Sequence, residues 1–151
     1  MNIQEQLMID LKDALRSKDE LRKTTIRMAL AALKNARVAK NADLTENEMA
    51  VVLRKQVKQR QDSISDYQKG GRDDLVAQES AEIEILEGYL PQMLDRDEIV
   101  SLAGQAIAET GASSPRQMGQ VMRVLMPRVQ GRADGRMVSE VVRELLASSS
   151  E

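Results

Sequence analysis

Cysteine, histidine, tryptophan and phenylalanine are all missing from this 151-residue chain, and Tyr67 and Tyr89 supply its only aromatic rings. Without cysteine there are no disulfides and no thiolate metal sites. Without histidine there is no imidazole proton shuttle, no histidine-activated nucleophile and no ordinary zinc site. Two tyrosines are too few for a base-stacking platform of the kind that binds single-stranded RNA. The core must be aliphatic, with nine methionines as adaptable filler. No Gly-x-x-x-x-Gly-Lys phosphate loop occurs, nor a glycine- and serine-rich amidase signature with its Ser and Lys. The first ten residues lack the basic start and apolar run of a signal peptide, and no window approaches the length of a membrane span. The expectation is a cytoplasmic protein with no membrane partner, no metal, no cofactor and no catalytic residues of its own.

The net charge of −2 alone argues against a nucleic-acid partner, but its distribution does not. Residues 1–72 carry 15 basic and 10 acidic side chains, residues 73–98 one against nine, and residues 110–147 six against three. A basic–acidic–basic layout fits an anionic partner touching two faces. It fits equally well two basic ends packing on an acidic middle.

Apolar spacing predicts helices nearly throughout. Leu7, Leu11 and Leu15, with Met8 beside them, form a first stripe; Ile26, Leu30 and Leu33 form a second behind a cap near Asp19. Thr45-Glu-Asn-Glu48 is a capping box, opening a helix with Met49, Leu53, Val57, Ile64 and Tyr67 that ends by Gly70-Gly71. An acidic helix carrying Leu75, Ile83 and Leu86 follows, and Tyr89-Leu90-Pro91 breaks the pattern. Asp95 to Glu98 repeats the capping logic for a helix with Ile99, Leu102, Ala106 and Ile107, stopped at Gly111. Ser114-Pro115 is expected to start the next helix, with Met118, Val121, Met122 and Leu125 as its stripe until Pro127. Asp134 caps a last helix with Val138, Val141, Val142 and Leu145. No stretch alternates with period two. The predicted fold is all-α: an N-terminal domain of about four helices over 1–90, then a small three-helix domain over 91–151.

The segment from Gly119 to Arg136 stands out because glycine, arginine and aspartate crowd a turn between two apolar helix patterns. Arg123, Arg128, Arg132 and Arg136 ring this turn, can make charge-assisted contacts to phosphate, and lie beside no candidate base. Gly131 and Gly135 permit close backbone approach, and a helix begins beyond Asp134. The Asp134 carboxylate competes for the N–H groups a phosphate would use. Docking is favoured over a bare helix–turn–helix connector with solvated arginines, and the candidate set is Gly119, Arg123, Arg128, Gly131, Arg132, Asp134 and Arg136.

Lys55, Lys58, Arg60 and Arg72 are a secondary set that could extend an RNA-binding strip. The preferred interpretation is a solvated, salt-bridged face, with Lys58 and Asp62 paired four residues apart. Arg22, Lys23, Arg27 and Lys34 are likewise taken as a solvated face. The acids Asp73, Asp74, Glu79, Glu82, Glu84 and Glu87 lack the spacing of a hard-cation loop and are read as a solvated or domain-contacting face. Met118, Met122, Met126 and Met137 are assigned to the core.

Several motifs together resemble the YqeY family: Ile26-Arg27-Met28, Lys58-Gln-Arg-Gln-Asp62-Ser63, Gly70-Gly-Arg72, Tyr89-Leu-Pro91-Gln, Met118-Gly119 through Met122, and Gly131-Arg-Ala-Asp134-Gly. They extend over residues 2 to about 147. The C-terminal part of that family is similar to the tail domain of the GatB subunit of tRNA-dependent amidotransferase, a helical module that contacts the tRNA body. The resemblance implies an N-terminal helical domain with a three-helix tail, and a placement among carbon–nitrogen ligases with glutamine as amido-nitrogen donor. It implies tRNA or another structured RNA as partner, with amidotransferase or aminoacyl-tRNA synthetase subunits as the alternative for a protein–protein adaptor.

Overall fold

The computed structural model describes residues 1–149. It contains α1 (Ile3–Ser17), α2 (Glu20–Lys40), α3 (Glu46–Lys69), α4 (Asp73–Glu87), α5 (Arg96–Thr110), a 3-10 turn (Pro115–Gln117), α6 (Met118–Val129) and α7 (Gly135–Ser149). Among the described residues there is no strand, so the fold is all-α as predicted. The chain divides into two compact units, Met1–Pro91 and Gln92–Glu151.

In the first unit, side-chain caps set the helix ends. Asn2 accepts the Glu5 N–H at 2.8 Å while Glu5 reaches back to the Asn2 N–H, starting α1. Lys18 ends α1 in a left-handed conformation, and Asp19 caps α2 by accepting the Arg22 N–H. So short a connection makes α1 and α2 antiparallel neighbours. The Thr45 box is present, with the Glu48 N–H donating to Thr45 Oγ1 and the Thr45 N–H to Glu48 Oε1. At the end of α3, Gly71 takes φ +70 and the Arg72 N–H returns to the Tyr67 carbonyl at 2.9 Å. A Cβ at that φ would be strained, so glycine allows the tight reversal into α4.

The core of this unit is aliphatic: Ile3, Leu7, Ile26, Ala29, Leu33, Met49, Ala50, Leu53, Val57 and Leu86. The α1 stripe differs from expectation. Met8 and Leu15 are 50% and 46% exposed, while Ile3, Leu7 and Ala14 are buried. At 100° per residue, Ile3 and Ala14 lie within about 40° of Leu7, whereas Met8 and Leu15 lie about 80–100° round the helix.

In the second unit, α5, α6 and α7 bury Ile99, Ala103, Ala106, Val121, Leu125, Val129, Val138, Val141, Val142 and Leu146. Met118, Met122, Met126 and Met137 pack against this cluster. Leu146 is fully buried, and Leu145 only partly. Two expectations about helix ends need correcting. Ser114-Pro115 opens the 3-10 turn rather than α6, and Ser114 makes no capping bond; the Gln117 side chain instead accepts the Ser113 N–H at 2.7 Å. Pro127 does not stop α6, which runs on to Val129. In the last turn, a proline forfeits the one N–H that would bond four residues back, and burial of Val129 offsets that loss. No helix among the described residues is long and apolar enough to cross a membrane.

Two measurements test these local forces. Glu48 is bonded by the Lys40 ammonium and then by the Thr45 N–H, which hold its carboxyl down at about 2. The unfolded chain takes up this proton at the ordinary glutamate value. The contribution of Glu48 is therefore fully present above that range and is lost as pH falls from about 4.5 toward 2. Glu48→Gln should flatten the acid limb of a Tm-against-pH profile, with little change in slope near neutrality. In α5, Gly104 is exposed, helical in φ and open around its absent Cβ. Gly104→Ala should raise stability by about 0.5–1 kcal/mol in denaturant titrations.

Candidate nucleic-acid interface

Backbone hydrogen bonds fasten the turn between α6 and α7 at several points. The Gln130 N–H returns to the Met126 carbonyl at 2.8 Å, and Gly131 turns the chain at φ +78. The Arg132 N–H reaches the Val129 carbonyl, and the Arg132 carbonyl accepts the Leu94 N–H at 2.7 Å, tying the segment before α5 onto the turn. Asp134 caps α7 as expected: its Oδ1 accepts the Arg136 N–H at 2.9 Å and its carbonyl accepts the Val138 N–H. One donor of the α7 N-terminus is thus already taken by a carboxylate, which disfavours an anion at that end.

The four arginines do not form one ring. Arg123 and Arg128 are five residues apart on α6, which separates them by about 140°. Arg128 is bound to Glu109 at the end of α5, at 2.6 Å. Arg132 is half-buried, and its Nε is buried without a hydrogen-bond partner. Arg123 and Arg136 are exposed, and their side chains make no ion pair with the described residues. Arg136 stands in the first turn of α7, where the helix dipole disfavours a cation. Gly119 is exposed in the first turn of α6, and a Cβ there would meet nothing; Gly135 is the same on α7. Arg143, seven residues beyond Arg136, extends the same exposed face of α7. Its seven-residue spacing from Arg136 is the signal in the sequence that places it there.

The secondary set is scattered. Lys55 is exposed, Lys58 lies 3.9 Å from Asp62, and Arg72 pairs with Asp74 through two bonds that hold the Asp74 carboxyl below its ordinary value. Arg60 was expected on a solvated face and is instead 5% exposed. Its Nε donates to Glu82 Oε2 at 3.0 Å, Nη1 donates to the Gln56 carbonyl and side chain, and Nη2 lies 3.7 Å from Met28 Sδ. Glu82, expected among solvated acids, is 7% exposed and also receives a long contact from Gln78. Burial and then the charge of Glu82 push the neighbouring Glu79 carboxyl up. Spacing carried the signal: Arg60 falls three residues after Val57 and seven after Leu53, and Glu82 four before Leu86. Both lie on buried stripes.

A second polar knot closes the first unit. Tyr89 Oη donates to Asp10 Oδ2 at 2.5 Å, Gln6 donates to the other oxygen, and Arg22 bridges Asp10 and Asp13. Burial and then the Asp10 bond push the Tyr89 phenol up, so it stays a neutral donor. Arg54 donates to the Pro91 carbonyl at 2.9 Å, and burial pushes its guanidinium down. Together these bonds account for the Tyr89-Leu-Pro91 motif as structure.

Comparison with known proteins matches residues 4–146 to the model of a family described as Yqey-like protein. Among curated relatives, the Kluyveromyces lactis protein named altered inheritance of mitochondria protein 41, mitochondrial, is 42% identical over 117 residues, covering 74% of this chain and 63% of that protein. The protein of the same name from Lachancea thermotolerans is 40% identical, over 70% of this chain and 58% of its own. For the one from Pyrenophora tritici-repentis the identity is 31%, over 94% and 80%. The chain therefore spans less than two thirds of the first two relatives.

Because Arg60 and Glu82 are each other's charge partner in a buried site, removing one should cost about 3–5 kcal/mol. Arg60→Ala or Glu82→Ala should lower Tm sharply. Arg60→Met with Glu82→Leu should recover most of the loss in the same thermal melts.

Proposed function

Since the chain belongs to the YqeY-like family, we propose that it is a non-catalytic, RNA-associated helical protein whose C-terminal unit holds structured RNA, tRNA foremost, through backbone contacts. The observation that carries this reading is a pair of exposed arginines, Arg123 and Arg136, that the fold does not use. A folded domain gains nothing from an unpaired cation in the first turn of α7, whereas a phosphate would pair with it. The open approach over Gly119 and Gly135 would let a ribose–phosphate backbone come close to the helix axes. Arg143 joins this set, while Arg128 is engaged by Glu109 and Arg132 is half-buried. The similarity of the family's C-terminal part to an amidotransferase tail points the same way. The carbon–nitrogen ligase label is taken as inherited from the larger enzyme, so catalysis would belong to that enzyme's other parts.

The names of the relatives are mitochondrial. A compartment with its own tRNA serves this proposal as well as the cytosol does. An adaptor function toward an amidotransferase or synthetase is the second reading, supported by the exposed carboxylates Asp73, Glu84 and Glu87 on α4.

The test is a titration of nuclease-treated protein with tRNA and with a random single-stranded RNA across a salt series. Preferential tRNA binding is expected. Arg123→Ala with Arg136→Ala should weaken it and reduce the slope of log K against log salt by about 1.5, as two phosphate contacts require. Unchanged affinity in the folded double variant would remove the site. Binding of neither RNA at low salt would leave the adaptor reading.

A further inference from the structure

The first unit has a surface that the RNA reading does not use. Along one flank of the α1–α2 hairpin lie two cavities of about 280 and 560 Å³. Lys34 and Arg37 line both, so the two are one groove. Aliphatic side chains form part of its lining, beside Gln4 at one end and Asn41 and Asp43 at the other. Met8, Leu30 and Leu33 line one end, and Val38, 70% exposed, lines the other. Single exposed aliphatic side chains need no explanation, but here several converge on a concave surface.

Three charged side chains line this groove, the cations Lys34 and Arg37 and the single carboxylate Asp43. Lys34 has no hydrogen bond or ion pair with the described residues. Arg37 is paired with Asp43 at 3.3 Å, but both are largely exposed, and such a pair is easily exchanged. From Leu30 to Val38 the groove follows α2 for about 12 Å, or two helical turns, the length over which one amphipathic helix lays down its first three or four anchors.

We propose that this α1–α2 groove docks an acidic amphipathic helix of a partner protein. Leucine-like side chains would cover Met8, Leu30 and Val38, and carboxylates would meet Lys34 and Arg37. The groove's lining offers RNA bases no aromatic ring to stack on. The proposal concerns the first unit and stands independently of RNA binding by the second.

A labelled synthetic helix with leucines on one face and glutamates on the other is the probe, titrated into the full chain by fluorescence anisotropy. A scrambled peptide of identical composition, a leucine–lysine helix and labelled tRNA are run beside it. Saturable binding of the leucine–glutamate helix alone among the peptides is expected. Lys34→Glu with Arg37→Glu, and separately Val38→Asp, should each weaken it at least about tenfold. These positions are exposed, and circular dichroism with thermal melting checks that the variants fold. Equal binding of the scrambled peptide, or unchanged binding by the folded variants, overturns the proposal. It is overturned in favour of RNA if tRNA affinity, and not peptide affinity, falls in these variants. If the wild-type chain self-associates in sedimentation and the variants do not, the occupant is a second copy and not a partner.

Discussion

The buried pair of Arg60 and Glu82 is the interaction on which the first unit depends. It joins α3 to α4 inside an otherwise aliphatic core, and the same guanidinium also reaches the Gln56 carbonyl and the Met28 sulfur, which brings in α2. A core with no phenylalanine or tryptophan has no large rigid plates to set helix register. Leucine, isoleucine, valine and methionine side chains slide past one another at little cost. A charged, directional bond at one point of such an interface restricts which register satisfies it, because any slip leaves a buried charge alone. The polar knot of Tyr89, Asp10 and Arg22 does the same for α1 and the end of α4.

Set against those, the remaining arginines divide by what the fold asks of them. Arg22, Arg54 and Arg60 are bonded within the first unit, and Arg128 is bonded to Glu109. Arg132 is half-buried: its carbonyl accepts the Leu94 N–H, while its Nε has no hydrogen-bond partner. What is left over in the second unit is Arg116 in the 3-10 turn, Arg123 on α6 and Arg136 with Arg143 on α7, all exposed. A count of basic residues overstates the charge that a polyanion would meet. Of the ion pairs made by residues 1–72, only Arg60 with Glu82 and Arg72 with Asp74 draw on acids outside that stretch, and exposed cations such as Lys12, Arg27 and Lys55 enter no ion pair with the described residues. Of the six arginines in residues 110–147, Arg128 is paired with Glu109 and Arg132 is half-buried, and the other four are exposed.

Most of the architecture was legible in the sequence because it rests on local rules. The capping boxes at Thr45 and Asp95, the glycine stops and the Asp134 cap each act within one turn of helix, and each is present. What went unread depended on partners distant in sequence. Arg60 is charged, and a charged residue on a helix is ordinarily solvated; only Glu82, 22 residues away, makes its burial tolerable. Its place on the Leu53–Val57 stripe gave a usable hint. The supposed ring of four arginines failed for a geometric reason, since residues five apart on one helix face different ways. Pro127 misled because a proline in a last turn costs only one hydrogen bond. The free and engaged arginines of the C-terminal turn could not be told apart at all from sequence, because Glu109 and Leu94 approach it only in three dimensions.

The central claim is that RNA meets the chain at the exposed arginines of α6 and α7 and not at the basic residues of α3. The most direct measurement is an amide chemical-shift map of the isotopically labelled full chain with and without tRNA. Shifts and line broadening concentrated at Gly119, Arg123, Gly131 to Arg136 and Arg143 are the predicted result. Perturbations confined to residues 1–91, or a spectrum unchanged by saturating tRNA at low salt, would contradict it.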